Sequence, residues 1–531
     1  MKKRFVAAML AGTMAFSMLA GCGTSGDTSS AGTSENSNSE LVFVNYRDIR
    51  DLNPHLYAGE MYAQSMLYDT LVSITDDGYE GCLAESWEIS EDGKIYTFKI
   101  REGVTFSDGA VCDANAILAN FNAIIANKER HTWLEMMNLL VGVSAPDDYT
   151  FVIELSEAYY PMLTELGCIR PFAMISPNCM IDGQTKDGVN GYIGTGPYVL
   201  TDFVTDEYAV FERNENYWGE LPAIEKITVK VIPDNQTRIM ALESGEIDLI
   251  FGKNMLDADA ISQYTDSDKF TVSLSDPTST RHIVLNTTND ILSDVTVRQA
   301  LQHATDRNAI SEGIFYGLEQ PADTLYSKTV PYCDVDLEPY EYSADTASEM
   351  LEKAGWIMGS DGVRYKDGKK LELGLLYNSD SVTEKTISEY LQSEYAKLGI
   401  SINIHGEEEQ SYRDSMKAGN FDMVFNICWG MPYDPQSSLA AMRAPVYGDY
   451  AAQLGLEDKA EIDKAITDIL TSTDETERQE LYTFVLTRLH EDAVYIPLTY
   501  ECNKALYTSD LQGVHFGTDQ YDVPFADMYF E

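Results

Sequence analysis

The chain is 531 residues long, with 86 acidic against 37 basic side chains and a net charge of −49. At 44% hydrophobic it holds enough apolar material for a large core, and its length exceeds one ordinary domain. A surface this negative repels phosphate backbones and anionic lipid headgroups, which excludes nucleic-acid binding and any membrane attachment that relies on charge.

The N-terminus offers an attachment of another kind. Lys2, Lys3 and Arg4 precede a short apolar run, Phe5 to Ala20, interrupted by Gly12, Thr13 and Ser17. The run is too short to span a bilayer and reads as a secretory signal peptide over 1–21. Its closing Leu19-Ala20-Gly21-Cys22 resembles a bacterial lipobox, which implies cleavage before Cys22 and lipidation of its sulfur. Two acyl chains or more make such an anchor stable. Processing removes three basic residues and no acidic one, leaving a net charge of −52. Residues 22–40 are then the lipidated cysteine and a flexible tether, because Ser, Thr, Gly, Asn, Asp and Glu cannot bury enough surface to order it.

Periodic apolar patterning starts at Leu41. Tyr96, Phe98 and Ile100 alternate with Thr97, Lys99 and Arg101, which predicts a half-buried strand. Asp113 is placed to cap a helix with Ala114, Ile117, Leu118, Phe121 and Ile125 on one face. Val297, Ala300, Leu301 and Ala304 follow helical spacing, and Ser343 opens another helix with Ala347, Met350, Leu351 and Ala354, closed by Gly355. The stretch 371–427 is the most regular. It reads as strand (371–376), helix with Ile387, Leu391 and Leu398 inward, strand (400–404), short helix (411–418) and strand (421–427). This order gives an α/β fold with a parallel sheet. No Pro- or Ser-rich linker divides the body, so lobes joined by crossing strands are expected.

Beyond Cys22 the cysteines are Cys82, Cys112, Cys168, Cys179, Cys333, Cys428 and Cys502, an odd number with no CxxC pair. Free buried thiols are expected in place of a disulfide or zinc framework. Phosphate-loop, HExxH, EF-hand and nucleophile-elbow patterns do not occur. Pro197 directly after Gly194-Thr195-Gly196 argues against a dinucleotide fingerprint, and His490-Glu491 lacks the second histidine of a zincin. Glu407-Glu408-Glu409 reads as a solvated edge. No residue asks for catalysis.

Longer motifs carry a family resemblance. Leu83-Ala84-Glu85-Ser86-Trp87 and the run Gly93 to Gly109 resemble the signature of family 5 extracellular solute-binding proteins, the receptors of peptide, opine and nickel ABC importers. Gly194-Thr195-Gly196-Pro197-Tyr198, Arg213 to Gly219 and Val297-Arg298-Gln299-Ala300-Leu301 match as well, so the resemblance covers the body from about residue 41 to the C-terminus. Within the family, the nickel receptors are most similar, through Asn53 to Tyr57, Arg130 to Glu135, Arg170-Pro171-Phe172, Trp429 to Pro435 and Thr473 to Tyr500.

The resemblance implies a two-lobed, hinged periplasmic-binding-protein fold of type II. Lobe I is expected at 41–276 and 498–531, with an extra subdomain at about 80–200, and lobe II at 277–497. It further implies a monomer, anchored outside the cytoplasm, that passes its ligand to permease subunits without a catalytic cofactor. The ligand implied is nickel or a related metal held as a small organic chelate, with an oligopeptide or opine as the alternative. Arg130 and Arg170 match carboxylate-gripping arginines. Trp133, Trp429, Tyr433 and Tyr57 match aromatic wall positions, and Met61 a methionine near the metal. Tyr447 stands where nickel receptors of this type offer a histidine, and Arg413 where they carry an aromatic residue. Phenol is a poorer nickel ligand than imidazole, so the expected ligand has more carboxylates and fills the metal's shell itself, with no direct protein ligand.

Overall fold

The computed structural model describes residues 39–75, 78–253, 255–430 and 432–531. The signal peptide, Cys22, most of the tether and Met431 lie outside the described residues. One eleven-stranded mixed sheet runs through the body. One half holds Tyr198–Val204, Tyr208–Arg213, Lys226–Val231, Glu40–Asn45 and Leu249–Phe251; the other holds Met423–Ile427, Glu372–Asn378 and Ser401–Glu407. Glu40 already pairs with Lys226, one residue before the expected Leu41.

Two long strands join the halves. Phe270–Leu285 and Tyr495–Thr508 run antiparallel from the pair Phe270–Thr508 to the pair Val284–Tyr495. At about 3.3 Å per residue they are long enough to pass from one core into the other. Their register shifts at Leu274/Pro277, Pro277/Ser279 and Arg281/His282. Proline supplies no ladder N–H and bulges bend a strand, so the pair is most easily bent at its middle. The expected lobe boundaries, 276/277 and 497/498, both fall inside these strands. Cores lie on either side: Phe43, Tyr62, Phe211 and Phe525 in the first half, Ile283, Leu301, Leu375 and Leu391 in the second.

The second half follows its local signals closely. Glu372–Asn378 pairs in parallel with both Ser401–Glu407 and Met423–Ile427. The intervening helices are Val382–Lys397, capped by the Ser381 hydroxyl, and Glu409–Ala418, which ends at Gly419. Tyr395 joins Ile387 and Leu391 on the buried face, and Leu398, one residue past the helix end at Lys397, packs partly covered against the same core. Ser343 caps Ala344–Lys353 and Asp294 caps Val295–Ala304, the latter burying the four expected residues.

A four-stranded antiparallel sheet stands apart: Ala84–Ile89, Ile95–Ile100, Thr150–Leu155 and Leu140–Asp147. Helix Ala114–Ala126 packs on it, with Asp113 accepting from the Asn115 and Ala116 N–H groups. The buried face is Ile117, Phe121 and Ile124; Leu118 and Ile125 are only partly covered. The Gly194-Thr195-Gly196 motif is a packing device. Gly196 N–H donates to Leu67 O at 2.9 Å, and a Cβ at either glycine would strike the Leu67–Tyr68 backbone. All seven described cysteines are free and buried. Among the described residues no helix is long and apolar enough to cross a membrane.

Candidate functional site

A cavity of about 930 Å³ opens between the two halves of the sheet. Tyr57, Arg130 and Trp133 line it from the first half; Arg413, Trp429, Tyr433 and Tyr447 line it from the second. Tyr57 lies in the loop before helix Met61–Leu67, and Arg130 in the short turn Lys128–His131. Trp429 and Tyr433 follow Met423–Ile427, at the carboxyl end of a parallel strand, where open α/β sheets place ligands.

The five rings form a chain of edge contacts. Centroid separations are 6.1 Å for Tyr57–Trp133, 6.3 Å for Trp133–Trp429, 5.8 Å for Trp133–Tyr433 and 5.7 Å for Trp429–Tyr447. Tyr57 is fixed from two sides. Trp133 Nε1 donates to its hydroxyl at 2.9 Å, and that hydroxyl lies 2.6 Å from His131 Nδ1. Burial, helped by Arg130, pushes His131 down to about 4, so the imidazole facing the Tyr57 hydroxyl is neutral. Burial pushes the Tyr57 phenol up to about 12, which keeps it protonated. The Arg130 guanidinium stands 5.6 Å from the Tyr57 ring, a cation–π contact at the cavity mouth.

On the opposite wall, Arg413 pairs with Glu409 one helical turn earlier. Burial disfavours the Arg413 charge, but Glu409 and the Tyr447 hydroxyl outweigh it and hold the group above its ordinary value. Glu409 also accepts from Asn378 Nδ2 at 2.5 Å. The acidic run is therefore no uniform solvated edge: Glu408 is exposed, while Glu409 turns into the cleft.

Two expected residues sit elsewhere. Arg170 is not on the cavity wall; it donates to Gln64 Oε1 at 2.6 Å and to Gly59 O, with Tyr57 and Tyr433 nearby. Met61 opens helix Met61–Leu67 and packs beside the first-half core.

Sequence reasoning missed the floor. Lys253, Arg281 and Glu501 close the cavity beneath the rings. Arg281 pairs with Glu501 and lies 3.9 Å from Glu319; Lys253 lies 3.7 Å from Glu501, and Lys504 3.6 Å from Glu319. Burial alone would raise Glu501, but Arg281 and Lys253 hold it below its ordinary value. These charges sit on or beside the crossing strands, so floor and hinge are one structure.

Asp434 adds a titrating group behind the cage. It is 2% exposed, and its Oδ2 accepts from Gly430 N–H at 2.7 Å. Burial raises its carboxyl to about 6. Between pH 4 and 6 the folded chain keeps a proton that the unfolded chain has released. The stabilising contribution is thus full below the unfolded value and lost as pH rises through 6. Relative to the parent, Asp434→Asn should gain about 2–3 kcal/mol of stability between pH 4 and 7, read by urea unfolding at each pH.

A family model for bacterial extracellular solute-binding proteins, family 5, middle region, matches residues 78–449. The nickel-binding periplasmic protein of Escherichia coli K12 is 41% identical over 486 residues, covering 91% of this chain and 93% of that protein. The crystal structure of NikA from Brucella suis in complex with Fe(III)-EDTA superposes with a TM-score of 0.91 at 42% identity, covering 93% of this chain and all of that one. That of NikZ from Campylobacter jejuni in complex with Ni(L-His) shares the fold, with a TM-score of 0.75 at 22% identity, covering 92% and 99% of the two chains. The chain belongs to the bacterial extracellular solute-binding proteins of family 5, two-lobed extracytoplasmic receptors that serve ABC importers and are not enzymes.

Proposed function

We propose that this receptor binds nickel, or a related transition metal, as a small carboxylate-rich chelate and delivers it to the importer's permease. The observation that carries the reading is the wall around the five rings. Arg130 stands on one side and Arg413 on the other, and Tyr447 offers a phenol held by Arg413. Guanidinium forks pair with carboxylates, rings stack on planar chelate arms, and a neutral phenol leaves the metal to its own chelator. The relatives support the class of ligand: a nickel-binding protein in one case and an iron–EDTA complex in the other. Lobe I is assigned to 41–276 and 498–531 with a subdomain at about 80–200, and lobe II to 277–497. Cys22 carries the lipid that holds the monomeric receptor at the membrane.

The test is calorimetric titration with nickel alone, nickel with two equivalents of L-histidine, and nickel–EDTA. At least one chelate should bind about a hundredfold tighter than the bare ion, a difference of about 2.8 kcal/mol. Equal or tighter binding of bare nickel would falsify the chelate reading. Mass spectrometry of receptor taken from its native membrane reads the same proposal independently, through co-purified ligand and acyl mass on Cys22. A co-purifying peptide without metal would favour the peptide alternative.

A further inference from the structure

Gln520 reaches across the cleft. Its backbone belongs to the first half of the molecule: Asn503 Nδ2, on a crossing strand, donates to Gln520 O at 2.8 Å. The chain then runs on to Phe525, whose ring lies 5.3 Å from that of Phe43 in the first core. The side-chain amide meets the other half, where Nε2 donates to the carbonyl of Trp429 at 2.6 Å. Gly430 makes this approach possible. Its φ is +79°, and a Cβ there would collide with the Gln520 amide.

The far end of the amide is also engaged. Gln520 Oε1 accepts from Lys253 Nζ, which donates to Ser279 Oγ at 2.7 Å and faces Glu501. Ser279 and Glu501 sit opposite each other on the crossing strands, beside the register shift at Pro277/Ser279. A continuous path therefore runs from the hinge strands through Lys253 and Gln520 to the backbone of a ring on the ligand wall. Bending these strands to separate the halves pulls the Gln520 amide away from the Trp429 carbonyl, and closing them restores the bond.

We propose that Gln520, held in orientation by Lys253, is a positioning residue that latches the two lobes closed. The contact joins protein to protein, so it favours the closed state whichever solute is bound. A ligand shifts the equilibrium only by its differential affinity for the closed form, and the latch reduces the shift the ligand must supply. It also slows escape more than entry, because entry occurs through the open form, in which the bond is absent.

The test uses Gln520→Glu, which keeps the shape and the Lys253 contact but removes the donor, and Gln520→Leu, which removes both. Spin labels at Met240→Cys and Ile357→Cys, exposed positions in the two halves, report the lobe separation by pulsed electron paramagnetic resonance; the seven described native thiols are buried. Stopped-flow fluorescence with nickel–histidine reports the rates. Both variants should lower the closed population, with and without nickel–histidine. Dissociation should speed up roughly tenfold, about 1.4 kcal/mol, with association changed less than about twofold. Melting temperature should stay within about 2 °C of the parent. Closed populations equal to the parent's overturn the proposal, whether or not nickel–histidine binds. So does a loss confined to association, or one that tracks a falling melting temperature.

Discussion

Arg281→Met should cost the fold about 3–5 kcal/mol, the largest stability loss of any single substitution in the cleft. Arg281 and Glu501 are 12% and 7% exposed at their side chains, and they come from opposite crossing strands. Methionine roughly fills the stem of the arginine but leaves Glu501 without its nearest cation. Among the described residues, Lys253 at 3.7 Å and the Ser279 hydroxyl at 2.9 Å remain beside it, with the Lys504 charge acting more weakly. A buried carboxylate in that position must shed charge or draw in water, and both are expensive in a low-dielectric hinge. Arg281 also stands 5.3 Å from the Phe315 ring, a cation–π interaction that methionine cannot make. Urea unfolding of Arg281→Met, Glu501→Gln and the double variant reads the prediction. The double variant should recover more than half of the loss, because removing both charges removes the orphan. A single-variant loss below about 1 kcal/mol would show that the pair is solvated and behaves as a surface ion pair.

That floor marks the limit of what the chain shows without its fold. The stretch 371–427 was legible because its apolar periodicity is local, and the structure closes the same elements with the Ser381 cap and with Gly399 and Gly419 at positive φ. Arg281 and Glu501 have no such signature. They are 220 residues apart, and neither strand sequence, which also carries Asp276 in one case and Lys504 in the other, marks its charge as one half of a pair. Only the pairing of Phe270–Leu285 with Tyr495–Thr508 brings them together. Gln520 and Lys253 were invisible for the same reason. The cage rings lay between these extremes: composition alone assigns a Trp or Tyr to a core, and motif resemblance singled out Trp133, Trp429 and Tyr433. The structure brings those three together at the cavity while holding Arg170 behind it, where its donors go to Gln64 and Gly59. His131 sat inside a motif already noted, yet its role depends on a Tyr57 hydroxyl 74 residues away.

Trp429→Ala should weaken binding of nickel–histidine by roughly a hundredfold, about 3 kcal/mol, with little change in stability. The separation of the two effects follows from where the residue sits. Its ring is half-buried, lines the cavity and touches Trp133, Tyr433 and Tyr447 by their edges, at 6.3, 6.4 and 5.7 Å. Removing it opens a wall of the cavity without emptying a core. Its backbone is fixed independently, because the Trp429 carbonyl accepts from Gln520 and Gly430 N–H donates to Asp434. Phenylalanine at the same position restores part of the stacking area and should recover roughly tenfold of the loss. Calorimetric titration against the parent gives the affinities, and urea unfolding gives the stability. Unchanged affinity in Trp429→Ala would move the ligand away from the rings and onto the charged floor. Tyr57→Phe then discriminates further: it keeps the ring but cuts the hydroxyl bridge to Trp133 and His131, so it loosens the wall on the first half alone. A ligand clamped between the halves feels both changes, whereas one bound to a single lobe feels one.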